Sequence, residues 1–370
     1  RMLAAFASRM ASQDGLTVAI EDISGFVPSD MRIARITLSD ATGPFGTVDG
    51  LALAWHPLAL LSGTVNVSAL TADRVAIDRR PVLPGSTATS SSSSSSGGLP
   101  MIRVVLGKLE IADIEIGEDV AGMAAQLGLT ASARLVDPAE GLALDFQLTR
   151  RDAPGELKGR ARYAPDGGRD VLDLDVTASE PEGGLVARLA GIEGLPALAL
   201  TVKGSAPLDD WNGTLAFDAG AAGRIDGTGA VRVVDTGRRI MLDVKGDVAG
   251  LLPASVRPLF AGETTLTGSA VATTAGPVQI EGLNASATGF GLALVGTLDP
   301  ATQTADLSFD LVGGQAETYA AFVPGIAWKD WRLHAKVNGA LARPNVDAEV
   351  TATGLGAHGY GSDRLDLALT

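Results

Sequence analysis

Residues 16–26 (LTVAIEDISGF), 31–63 (MRIARITLSDATGPFGTVDGLALAWHPLALLSG) and 64–81 (TVNVSALTADRVAIDRRP) decide the fold class of this chain. Each piece alternates apolar and polar residues over a short run and then breaks at a turn. Leu51 and Leu53, Val65 and Val67, and Val75 and Ile77 sit two apart. Side chains two apart lie on one face of a β-strand, so each run has an oily face and a wet face. Hairpin signals stand at Asp49-Gly50, at Ser62-Gly63 and between Asp40 and Gly46.

The same unit recurs to the end of the chain. Leu142, Leu144, Phe146 and Leu148 alternate with Ala143, Asp145 and Gln147, and Leu172, Leu174 and Val176 alternate with Asp173 and Asp175. Leu307 and Phe309 repeat the pattern. Pro165-Asp-Gly-Gly168 and Pro181-Glu-Gly-Gly184 read as hairpin loops. Runs of this spacing predict about 25 strands, mostly antiparallel. Residues 248–261 and 315–325 lack the two-residue period and read as short inserted helices. Residues 1–13, with Leu3, Phe6 and Met10 at helical spacing, read as a short amphipathic helix that either plugs or covers a sheet end. The serine tract in 82–100 cannot bury apolar surface and reads as a linker between a strand block at 14–81 and continuing strands over 101–370.

Composition narrows the function classes. The net charge of −14 repels a nucleic-acid backbone and an anionic membrane surface alike. There is no cysteine, hence no disulfide framework and no thiolate metal site. No run of about twenty apolar residues is present. His56, His334 and His358 stand far apart, and neither a nucleophile elbow nor a phosphate-binding glycine loop occurs. The sequence therefore predicts no enzyme, no metal and no cofactor. Aromatic residues make up only 4% of the chain, so its apolar face is aliphatic.

Three pieces carry a resemblance: Leu38-Ser-Asp40, the run Leu51 to Gly63 (LALAWHPLALLSG), and Arg74 to Pro81 (RVAIDRRP). In this order they resemble the N-terminal region of the TamB (translocation and assembly module) family, within the AsmA-like bridge-like lipid-transfer proteins. Residues 102–122 and 194–211 resemble later repeats of that family, and Trp328 to Trp331 echo the position of Trp211. The resemblance implies a β-taco: a long curled antiparallel sheet forming an open hydrophobic trough, in the bacterial periplasm, anchored to the inner membrane by a segment upstream. It also implies phospholipid acyl chains as cargo and an outer-membrane barrel partner like TamA or BamA.

The physical need is the same without the resemblance. Some 25 one-faced strands must hide or use an apolar area far above the few hundred Å² that a monomer usually exposes. At ~4.8 Å per strand they would span roughly 120 Å. The expected lining of the trough is Leu51, Leu53, Val65, Val67, Val75, Ile77, Leu142, Leu144, Phe146, Leu148, Leu172, Leu174, Val176, Leu307 and Phe309. Phospholipid transport between the two membranes is the function this favours. The alternatives are an assembly factor for outer-membrane barrels or autotransporters, and a passive β-solenoid stalk.

Overall fold

The computed structural model describes residues 16–26, 28–82, 103–137, 141–166, 169–357 and 360–369. The expected helix at 1–13 and nearly all of the serine linker lie outside these residues. The chain forms two compact units, 1–190 and 191–370.

Among the described residues the first unit holds nine strands. They are β1 Thr17–Phe26, β2 Asp30–Asp40, β3 Gly43–Trp55, β4 Thr64–Ile77, β5 Arg103–Ile116, β6 Ala125–Asp137, β7 Gly141–Arg150, β8 Glu156–Asp166 and β9 Arg169–Glu180. The second holds twelve: β10 Leu198–Pro207, β11 Asp210–Asp218, β12 Arg224–Val234, β13 Gly237–Asp247, β14 Glu263–Thr273, β15 Val278–Ser286, β16 Phe290–Asp299, β17 Thr304–Gly313, β18 Ile326–Ala327, β19 Asp330–Ala340, β20 Asn345–Ala357 and β21 Tyr360–Leu369. Within each unit strands pair with their neighbours in sequence, except that β17 pairs with β19 and the two-residue β18 with β20. Among the described residues β21 pairs with β20 alone, and the sheet does not close. The fold is all-β and open, as expected. The strands are fewer than the expected 25 because most run nine to fourteen residues, longer than the sequence runs suggested.

One pair departs from the antiparallel expectation. β4 and β5 are parallel, with Thr64 opposite Arg103 and Ile77 opposite Ile116. A parallel neighbour requires the chain to return along the whole strand, and a crossover of a dozen or more residues is needed for it. The stretch from Asp78 to Ile102 is long enough. The serine-rich segment thus connects two strands that pair directly with each other.

Two turn assignments change. Asp49-Gly50 is not a hairpin but lies inside β3, where Gly50 has φ 64° and Asp49 pairs with Arg35 and Arg74. The pairing with both neighbouring strands keeps its register across Gly50. Pro181 to Gly184 leads into a helix instead of turning directly into β10. The Asp40–Gly43 and Ser62-Gly63 turns fall where expected, and β8 pairs with β9 up to Asp166 opposite Arg169.

Within each unit the helical insertions gather at one margin, apart from one after β3. In the first unit α1 (Glu118–Ala121) follows β5 and α2 (Leu185–Leu189) follows β9. Ala121, Ala125 and Leu185 are buried together there against Ile116 and Met123. The Glu180 carboxylate accepts from the backbone N–H groups of Val186 (2.9 Å) and Ala187 (2.7 Å), capping the start of α2. In the second unit, 3-10 turns follow β11 (Gly220–Ala222), β13 (Ala249–Leu251 and Arg257–Phe260) and β17 (Ala316–Tyr319). Those after β13 and β17 are the inserts expected at 248–261 and 315–325. Successive antiparallel strands make the odd-numbered ends one margin. The inserts are tied to one another: Gly289 N–H donates to Leu259 O (2.7 Å), Gly314 N–H to Gly289 O (2.6 Å), and the Tyr319 hydroxyl also donates to Gly289 O. Tyr319 packs edge-on to Trp328 and Trp331, at 5.4 and 6.2 Å between ring centroids.

The exit of β4 is fixed by a buried ion pair. Asp40, whose side chain is wholly shielded from solvent, accepts two bonds from Arg79 (2.7 and 2.8 Å), two from Thr42 and one from the Val82 N–H. Arg80 reaches the other way to the Val120 carbonyl of α1 (2.9 and 2.7 Å). The Arg79 guanidinium holds the Asp40 carboxyl far below the usual carboxylate range. A carboxyl with a depressed folded pKa stabilises the fold fully above its unfolded value of about 3.9 and loses that contribution as the pH falls below it. Asp40→Asn should therefore lower the thermal midpoint by several degrees at pH 7. It should also flatten the acid limb of stability between pH 4 and pH 2, measured by circular dichroism, relative to the parent.

Candidate functional site: an aliphatic sheet face

Directly paired residues share a face, so the register shows what each face is made of. β6 alternates without interruption and sets the reference for the first unit. Leu106, Ala133, Leu144, Ala161 and Leu174 form one rung across β5 to β9. Leu109, Ala131, Phe146, Gly159 and Val176 form the next, and Ile111, Leu129, Leu148, Leu157 and Ala178 a third. The adjoining strands continue it: Leu70 pairs with Leu53 and Leu109, and Val75 with Val48 and Ile114. Bulges in β5, at 106–109 and 111–114, keep its longer run in phase with β6.

The second unit carries a longer rung: Val202, Leu215, Gly227, Val244, Leu266, Ala285, Leu292, Leu311, Leu333, Val350 and Leu367. No polar side chain interrupts it over eleven strands. Beside it, Phe309 pairs with Leu294 and Ala335, and Leu307 with Gly296 and Val337.

The opposite face is ionic. Ser132, Asp145, Arg160 and Asp175 make one of its rungs, and Asp145 bridges Arg160 at 3.0 Å and Arg162 at 3.6 Å. Glu21, Arg35, Asp49, Arg74 and Asp113 make another of alternating charge, with Arg35 and Asp49 2.6 Å apart. Exposed pairs of this kind contribute little stability each, but opposite charges placed directly across a ladder favour the correct register.

The expected lining residues are thus brought together within each unit: Leu51, Leu53, Val65, Val67, Val75, Ile77 and the β7 and β9 sets in the first, Leu307 and Phe309 in the second. Among the described residues no large side chain on this face is fully buried. Leu144 is 38% exposed, Ile240 50% and Leu367 52%. Within each unit nothing among the described residues forms a second layer over it. A cavity of about 480 Å³ lies instead on the ionic face, lined by Lys108, Thr130, Asp145, Gln147, Lys158 and Arg160. Arg160 is paired with Asp145, Lys108 with Glu110 and Lys158 with Glu156.

Sequence reasoning missed the aromatic floor of this face. Phe146 lies over Gly159, Trp211 over Gly204 and Gly213, and Trp331 over Gly313. The corresponding signal, an aromatic opposite a glycine, becomes visible only once the register is known. Also missed was the 3-10 turn Pro57–Ser62 at the margin away from the inserts, where Leu58 (78%) and Leu61 (88%) stand exposed.

His334 pairs with Asp310 at 2.7 Å and His56 with Ser68 at 3.0 Å, both on exposed surface. Among the described residues no three His, Cys, Asp or Glu side chains converge as a metal site. No described helix is long and apolar enough to cross a membrane. No protein family, curated protein or solved structure matches the chain.

An apolar face left half-exposed in the native state changes the unfolding thermodynamics. Unfolding should raise the heat capacity by less than the ~12–15 cal/mol/K per residue of globular domains, since little apolar surface is newly wetted. Scanning calorimetry measures this. Anilinonaphthalene sulfonate should bind the native protein, where ordinary globular proteins bind it chiefly after loosening.

Proposed function

We propose that this chain carries lipid acyl chains along its aliphatic face, as a segment of a TamB/AsmA-like bridge that moves phospholipids between the inner and outer membranes of the bacterial envelope. The observation behind this reading is the unbroken aliphatic rung of the second unit, eleven strands long and without a polar side chain, matched by shorter rungs in the first. An acyl chain moving through water exposes surface worth ~0.8 kcal/mol per CH₂, on the order of 12 kcal/mol for a sixteen-carbon tail. A continuous aliphatic strip removes most of that barrier at every step. Its half-exposed side chains hold no particular headgroup, which suits passage better than storage.

The resemblance of Leu51–Gly63 and Arg74–Pro81 to the TamB family supplies the setting: a periplasmic position, an inner-membrane anchor and a TamA- or BamA-like barrel at the far membrane. A second reading is an assembly factor for outer-membrane barrels, which would hold an incoming strand on the same aliphatic face.

The two faces of one strand separate the readings. Leu144→Arg or Leu174→Arg places a charge on the aliphatic face, at ~2–4 kcal/mol in a lipid-like setting. Either change should abolish acyl-chain photocrosslinking and lipid transport while the circular dichroism spectrum is kept. Asp145→Arg or Asp173→Arg on the ionic face should leave transport near the parent level. Equal crosslinking from both faces would sink the conduit. Tight binding of unfolded barrel strands without co-purifying phospholipid would favour the assembly reading.

A further inference from the structure

The aliphatic face carries few aromatic rings, and three of them share one arrangement. Phe146 stands directly across the ladder from Gly159, and Trp331 directly across from Gly313. Trp211 lies over Gly213 on its own strand and over Gly204, which pairs with Gly213. A β-carbon added at Gly159 would sit 2.5 Å from the Phe146 ring. One at Gly313 would sit 2.5 Å from Cδ1 of Trp331, and one at Gly213 2.9 Å from Cζ3 of Trp211, with other ring atoms nearer still. Real β-carbons do not approach so closely, so each ring occupies the space that an ordinary side chain would fill. Gly159 and Gly213 are buried beneath their rings. The rings therefore lie down on the sheet.

The chemistry of the face makes this placement consequential. A tryptophan standing upright beside Leu215 and Leu242 would project well beyond its leucine and valine neighbours and block a chain lying along the rung. Laid on glycine, the same ring becomes part of a smooth floor. We infer that Gly159, Gly213 and Gly313 set the clearance of the acyl-chain path, by letting Phe146, Trp211 and Trp331 lie flat. The inference rests on the conduit reading of the same face and names residues that reading does not need. It separates these glycines from those at turns, such as Gly63, where no atom would meet an added β-carbon.

Gly213 is the position to test. The three atoms nearest an added β-carbon all belong to the Trp211 ring, so Gly213→Ala displaces a side-chain tip and leaves the backbone in place. The open direction for the ring is away from the sheet. The full chain would be equilibrated with phosphatidylcholine vesicles containing a diazirine-tailed phosphatidylcholine, irradiated, and its crosslinked peptides quantified by mass spectrometry. In the parent, crosslinks should fall on Leu215, Leu242 and Val244 and, in the other unit, on Leu144 and Leu174. Gly213→Ala should lower those at Leu215, Leu242 and Val244 about tenfold and leave those at Leu144 and Leu174 unchanged. Adding Trp211→Ala to that variant should restore them, which no loss of folding would do. Gly159→Ala, with Phe146→Ala as its rescue, repeats the test at Leu144 and Leu174 should Gly213→Ala fold poorly. Unchanged crosslinking in Gly213→Ala overturns the inference while leaving the conduit intact, as does a loss that Trp211→Ala does not relieve. A parent that crosslinks on neither unit's aliphatic face overturns the conduit and this inference together.

Discussion

Every property of this molecule depends on keeping a two-residue alternation in phase across its ladders. A single-residue slip at any one ladder would turn every later leucine outward and every later aspartate inward. Longer strands risk that slip, and the structure answers with bulges placed where neighbouring strands differ in length. The irregularities at 106–109 and 111–114 absorb two residues of β5 against β6. The ionic rungs enforce the same phase from the other side. A slipped register would set Arg35 against an apolar partner and leave Asp49 without its cation.

The parallel pair is where this regularity is broken and repaired. A hairpin between β4 and β5 would need only a tight turn. The parallel arrangement needs the chain to leave at Ile77 and return at Arg103, beside the start of β4. The Asp40–Arg79 pair and the Arg80–Val120 contact hold the departing chain against both neighbours, the β2–β3 turn and α1. The aliphatic face passes across this junction without interruption, because Val75 meets Ile114 and Ile77 meets Ile116. Direction along the strand matters less to a side-chain face than register does.

Much of this was legible in the sequence because the signal is local. Leu142 to Leu148 and Leu172 to Val176 announce a one-faced strand by spacing alone, and the structure puts each on the aliphatic side. The inserts at 248–261 and 315–325 were legible as gaps in that spacing. Long-range features were not. Nothing in RVAIDRRP says that the next strand will lie parallel, and Asp49-Gly50 has the composition of a turn although it lies inside β3. The flat rings were partly visible: Trp211 and Trp331 each follow an aspartate at the start of a strand, the echo read between those two segments. Their glycine partners come from other strands, or in one case from the same strand after the ring has folded back, and no spacing rule reaches them.

A connectivity in which nearly every ladder joins consecutive strands has a kinetic meaning. Such a chain closes only short loops, and low contact order favours fast, local assembly. Each strand leaving the ribosome finds its partner already waiting in the segment that came out just before it. The β4–β5 junction is the exception within the first unit, where some 25 residues must come out before the next strand can dock. Until then β4 waits with one side unpaired, which makes that interval the moment in synthesis at which a holdase would matter most.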